Sequence, residues 1–190
     1  MVEVLQVKIP EIAVILQNDH DGPKVANSLN HEEQAIPLGQ QRLRTVELVL
    51  KMVQMRKETI YEGLGRSKVF SNIVALVKQY PWNNYLQLKA VALFNEVIDN
   101  CENNEFRKQF FESSGIGKAL VEMGDNAQYV MGSTRKIRNG YMNLVVTIAN
   151  KLQKKYTENG AGSANEDQTL YQYLDSVGEE WRVFVDKELA

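Results

Sequence analysis

Pro10, Pro23, Pro37 and Pro81 are the only prolines of this 190-residue chain, so everything from Trp82 to Ala190 is free of them. Proline removes a backbone donor and clashes with the preceding helical turn, and a long proline-free stretch with apolar residues every three to four positions therefore reads as helix. Leu43, Val46, Leu50 and Val53 recur at that spacing from Gln40 onward, widened by Val49 and Met52. Another helix starts near Ser67, a candidate N-cap, and carries Val69, Phe70, Ile73, Val74, Leu76 and Val77. It is apolar nearly all round, which predicts deep burial. Pro81 stops it, and Leu86, Ala90, Leu93, Phe94, Val97 and Ile98 form the next helix. Two short helices, FRKQFFES (106–113) and IGKALVEM (116–123), follow. A longer one over roughly 137–156 carries Met142, Val145, Ala149 and Leu152. Leu170 to Ala190, with Leu174, Val177, Trp181 and Phe184, reads as one helix or two short ones. No run requires a strand; VVTIA (145–149) sits inside helical periodicity.

The expected fold is all-α, an armadillo- or HEAT-like helical repeat (an α-solenoid), within a single domain over 1–190. Residues 1–17 form N-terminal helices interrupted near Pro10, 18–39 a long polar loop, 40–156 the core repeats, 157–169 a flexible loop and 170–190 the C-terminal helical part. KVFSNIVALV (68–77) and IGKALVEM (116–123) each open an apolar helix after a glycine-containing turn. Ile73 and Ile116 lie about 43 residues apart, within the period of armadillo and HEAT units. Such units bury their apolar faces only by stacking.

Hydrophobic residues make up 44% and charged residues 24%, with a net charge of −2, ordinary for a globular chain. The charge is unevenly spread. Arg135, Lys136, Arg138, Lys151, Lys154 and Lys155 lie in 126–157, which has no acid, while 1–39 and 158–190 are acidic. A basic segment between acidic ones either pairs internally or offers a docking surface. On one helix, Arg138 and Lys151 would stand about 220° apart, which makes no phosphate-binding stripe. Cys101 is the single cysteine, so no internal disulfide forms, and the expectation is a cytoplasmic protein with the nucleus as a second compartment. IAVIL (Ile12–Leu16) is too short to span a membrane.

Catalytic chemistry finds little support. His20 and His31 lie in the polar loop, far in sequence from Cys101. Asp19, His20, Asp21, His31, Glu32 and Glu33 match no zinc spacing. DHDGPKVANSLN has Pro23 and Asn30 where an EF-hand needs ligands. GLGRSK (63–68) and GIGK (115–118) are not phosphate loops, and their glycines read as helix-terminating turns. The residues describe a helical scaffold with no cofactor of its own. Within YPWNNYL (80–86), Asn83 or Asn84 can cap the following helix. Trp82 there either fills the wedge between two apolar helices or faces solvent as an interface anchor.

Four stretches, in order, resemble the SAPS-domain family, regulatory subunits of type-2A-like serine/threonine phosphatases of the phosphatase-6 kind. They are PLGQQRLRTVELV (37–49), FSNIVALVKQYPWNNYL (70–86), RNGYMNLVVTIANKL (138–152) and EEWRVFV (179–185). The signature residues are Tyr80, Trp82, Asn83, Asn84, Asn139, Tyr141, Asn150, Trp181 and Phe184. Gln87 stands where the family often has a histidine after its W-N-N-x-L, and Asn143 and Leu144 where it often has Gly-His. The family's domain is longer, and this chain resembles its C-terminal portion, a piece of a longer array. The resemblance implies a non-catalytic subunit that binds a phosphatase-6-type catalytic subunit, with the reaction's metals and water belonging to that partner. The residues themselves point to no nucleic-acid and no membrane partner. An armadillo-like adaptor for another protein or peptide cargo is the other reading; against a periodic peptide groove, WNN occurs only once.

Overall fold

The computed structural model describes residues 2–17, 25–26, 34–35, 37–131, 135–158 and 168–189, with the backbone alone at 25–26, 34–35, 129–131 and 135–136. Among them, ten helices carry the fold. They are α1 (Val2–Gln17), α2 (Gly39–Gln54), α3 (Glu58–Gly65), α4 (Val69–Gln79), α5 (Asn84–Asn100), α6 (Asn104–Ser114), α7 (Ile116–Asp125), α8 (Met142–Glu158), α9 (Gln168–Val177) and α10 (Glu179–Glu188). Two antiparallel ladders accompany them: β1 (Val25–Ala26) with β2 (Gln34–Ala35), and β3 (Gln128–Met131) with β4 (Arg135–Arg138).

Local chemistry sets the helix ends. The Asn83 side chain accepts the Leu86 N–H at 3.0 Å and opens α5; the Asn103 side chain accepts the Phe106 N–H at 2.7 Å and opens α6. Gly115, at φ 59°, takes the left-handed conformation that ends α6, and Gly178, at φ 70°, divides the C-terminal segment into α9 and α10. Pro81 follows the end of α4 at Tyr80.

Packing runs in steps of three helices. α2 packs on α5 and α5 on α8; α1 packs on α4, α4 on α7 and α7 on α10; α3 packs on α6 and α6 on α9. α4 is enclosed by α1, α5, α6 and α7, which is why six of its eleven residues are buried, as its apolar sequence predicts. An aromatic cluster lies beside it. Phe110 meets Phe70 edge-on at 4.9 Å and packs near Phe94 and Phe111, while Phe106 stacks on Tyr61 at 4.3 Å.

The structure corrects several sequence expectations. α1 continues through Pro10 as one helix; Pro10 is exposed and leaves Ile9, Ile12 and Leu16 free to face the core. α3 lies where EGLGRS was expected to be a turn. Its glycines are there for close approach: a Cβ on Gly63 would come within 2.5 Å of Ile9, and one on Gly65 would meet Gln109. Ser67 stands one residue before the N-cap position, Lys68, yet still serves the start of α4: its hydroxyl accepts the Val69 N–H at 3.3 Å and donates to the Leu64 carbonyl at 2.7 Å. The helix expected from about 137 begins at Met142, because 128–131 pairs with 135–138 as β3 and β4, with Tyr129 opposite Ile137. Arg138 therefore stands on a strand, and its helical angle to Lys151 has no meaning. Most of the 18–39 and 157–169 loops, with His20, His31 and the acidic residues weighed as ligands, lies outside the described residues.

Tyr173 on α9 stacks on Phe111 at 5.2 Å and accepts the Gly117 N–H at 2.8 Å, tying α9 to α7. Burial pushes its hydroxyl up from an ordinary 10 to about 12. A raised folded-state value means the contribution is intact below pH 10 and fades as pH climbs toward 12. Tyr173→Phe is expected to flatten the loss of stability over that window in urea melts. A wild-type slope in the variant would show that Tyr173 does not set it.

Candidate functional site

Three of the family-like stretches meet at one edge of the molecule, where α2, α5 and α8 begin. Arg42, only 3% exposed, organises the first contact. Its Nε donates to the Leu38 carbonyl at 2.7 Å, and its Nη2 to the Pro37 carbonyl at 3.1 Å and the Tyr80 hydroxyl at 3.0 Å. The guanidinium also lies 5.3 Å from the centre of the Tyr80 ring. Leu38, Gly39, Asn83 and Tyr85 border a surface depression beside it.

The second contact joins α5 to α8. Gly140 lies so close that an added Cβ would sit 2.3 Å from the Pro81 carbonyl oxygen and 2.7 Å from Trp82 Cε3. Gln87, buried, donates its Nε2 to the same Pro81 carbonyl at 2.5 Å. Asn139 donates its Nδ2 to the Asn126 carbonyl at 2.9 Å and to the Tyr141 hydroxyl at 3.0 Å, and that hydroxyl donates to the Asn126 carbonyl. Burial raises the Tyr141 hydroxyl above its ordinary value.

Each of the signature residues has a place. Tyr80, Trp82, Asn83, Asn139 and Tyr141 share this edge. Trp82 is half-buried against Gly140, neither a core wedge nor a fully exposed anchor. Asn84 and Asn150 are exposed on α5 and α8. Trp181 and Phe184 are buried at 2% and 3%; the Trp181 Nε1–H donates to the Gln153 side chain at 2.9 Å, and Phe184 lies over Gly124. These two anchor α10 and offer no surface. Sequence reasoning gave Arg42 and Gly140 no role, although both lie inside stretches that carried the resemblance, and it noted Gln87, one residue past such a stretch, only as a departure from the family pattern.

The basic residues do not form one surface. Arg138 reaches Glu188 on α10 at 3.4 Å, Lys151 and Lys155 pair with Asp99 on α5, and Lys154 pairs with Glu158 at 3.7 Å. The side chains of Arg135 and Lys136 lie outside the described residues. On α2, Glu47 binds Arg44 at 2.7 Å and Lys89 at 3.0 Å, and these hydrogen bonds hold its carboxyl below the usual range. Cys101 is buried at the end of α5, and burial pushes its thiol up, away from the nucleophilic thiolate. Among the described residues, no group of three or more His, Cys, Asp or Glu could hold a metal, and no helix is long and apolar enough to cross a membrane.

Trp82→Ala is expected to destabilise the fold by about 1–3 kcal/mol through the lost contact with Gly140, less than a fully buried aromatic would cost, and so to lower the melting temperature. A thermal melt checks this; loss of partner binding at an unchanged melting temperature would make Trp82 an interface anchor instead.

Fold and edge together define a predominantly helical protein whose recognisable residues hold the starts of stacked helices in register. The family model of the SAPS, or SIT4 phosphatase-associated, proteins matches residues 63–190, and the chain belongs to that family. The match takes in three of the four stretches read from the sequence; PLGQQRLRTVELV precedes it. SAPS proteins are phosphatase-associated regulatory subunits rather than catalysts. Comparison with curated proteins and with solved structures gave no match.

Proposed function

We propose that this chain is a non-catalytic regulatory scaffold that holds a type-2A-like, phosphatase-6-type serine/threonine phosphatase catalytic subunit and directs its activity or its choice of substrate. The family match over residues 63–190 carries the reading. The step-of-three packing supports an armadillo-like solenoid, with α2, α5 and α8 as one row, α1, α4, α7 and α10 as a second, and α3, α6 and α9 as a third. Units of this kind are held by their neighbours, and the surface they present is formed before a partner arrives, so little ordering entropy is lost on docking. The buried Arg42 and the close Gly140 contact serve this purpose by fixing where successive long helices start. The catalytic metals and water belong to the partner, and the place of action is the cytoplasm, with the nucleus as a second compartment. Affinity capture from lysate followed by mass spectrometry tests the reading. A type-2A-like catalytic subunit should be enriched, with phosphatase activity on the captured material. Capture of transport factors or other cargo without any phosphatase would favour the adaptor reading instead.

A further inference from the structure

The row of α2, α5 and α8 turns one face outward. The links Arg42–Tyr80, Glu47–Lys89 and Arg56–Glu96 advance together along α2 and α5, so those helices run parallel. Gly140 against Pro81 near the starts, and Lys151 and Lys155 on Asp99 near the ends, show the same for α5 and α8. Glu47 and Lys89, each next to a leucine, are joined at 3.0 Å, which brings Leu48 and Leu88 to the same side. Leu48, Tyr85 and Leu88 are 40%, 72% and 62% exposed, an apolar centre shared by two neighbouring helices. Charges surround it unequally. Arg44, Lys51, Lys89, Lys151, Lys154 and Lys155 stand on or beside the face, against Glu47, Asp99 and Glu158. The acids hold most of the cations in place yet leave the face net basic.

We infer that this face docks an acidic surface of the phosphatase catalytic subunit, with an apolar side chain of that partner seated over Leu48, Tyr85 and Leu88. This rests on the regulatory-subunit reading above. Charge complementarity selects an acidic partner, and exposed apolar side chains flanked by cations are what a protein with an apolar anchor in an acidic rim fits. Nucleic acid is disfavoured, because Glu47 and Asp99 sit among the cations and Tyr85 is the one aromatic at the centre.

The test is binding of the purified chain to a purified phosphatase-6-type catalytic subunit by biolayer interferometry at low and high salt. Wild type, Leu88→Asp, Tyr85→Ser, the double charge reversal Lys51→Glu/Lys154→Glu and a control, Val183→Asp on the exposed side of α10, are compared. All these positions are exposed, and matching melting temperatures confirm that each variant folds. Leu88→Asp and Tyr85→Ser should each weaken Kd by about tenfold or more. The charge reversal should slow association and reduce the salt dependence, and Val183→Asp should bind as wild type. Wild-type affinity in all three face variants, with wild type itself binding, would overturn the face and leave the regulatory reading standing. No binding by wild type would overturn both. A wild-type chain that sediments as a dimer, lost in Leu88→Asp, would assign the face to a second copy and overturn the proposal.

Discussion

Phe110→Ala will unfold this protein more readily than any other single truncation considered, at a cost of about 3–5 kcal/mol. For a chain of this size that corresponds to a fall in melting temperature of roughly 6–20 °C, at about 2–4 °C per kcal/mol. The physical basis is specific. Phe110 is fully buried and meets Phe70 of α4, Phe94 of α5 and Phe111 of its own helix within 5.8 Å. Alanine would leave a cavity bounded by three stiff rings on three helices, which cannot all move in to fill it. Phe110→Leu keeps most of the volume and should cost less than half as much. Thermal and urea unfolding of both variants checks this. Equal losses for Ala and Leu would show that the edge-on aromatic geometry, and not the volume, is what matters.

Gly140→Ala will destabilise by about 3 kcal/mol, the upper end of what overpacking costs. The added methyl would sit 2.3 Å from the Pro81 carbonyl oxygen, a backbone atom with no freedom to swing away, and 2.7 Å from the Trp82 ring. The start of α8 would be pushed off the start of α5. Gly39→Ala is the natural comparison: it has open space around it and φ 78°, so its cost is left-handed backbone strain alone, about 1 kcal/mol. Adding Trp82→Ala to Gly140→Ala should recover only part of the loss, because the Pro81 oxygen remains. A Gly140→Ala protein that melts with wild type would mean the two helix starts are not held this closely in solution.

Much of the helical order was legible because burial in a stacked helical protein writes itself into 3–4 spacing, as in α2, α4, α5 and α8. What escaped was decided by contacts between distant segments. α3 carries glycines that read as turn residues until Ile9 and Gln109 are seen pressing on them. Pro10 reads as a break, yet it lies on an exposed side of α1 where the helix runs on. The β3–β4 ladder carries Arg135, Lys136 and Arg138, and on a strand they cannot share a helical face with the α8 lysines. At the candidate edge, Asn83 was readable as a cap from its own segment. Arg42, Gln87 and Gly140 were not, because each acts on a residue in another helix or corner: Arg42 reaches Tyr80, Gln87 the Pro81 carbonyl, and Gly140 receives Trp82. Trp181 and Phe184 read as signature residues because α10 depends on burying them.

The most direct measurement of the central claim is a mixing experiment by size-exclusion chromatography with light scattering. The purified chain is combined in turn with a phosphatase-6-type catalytic subunit and with a type-1 catalytic subunit. The account predicts a stable stoichiometric complex with the first and separate elution with the second. Separate elution from both, or a complex with the type-1 enzyme alone, would contradict it.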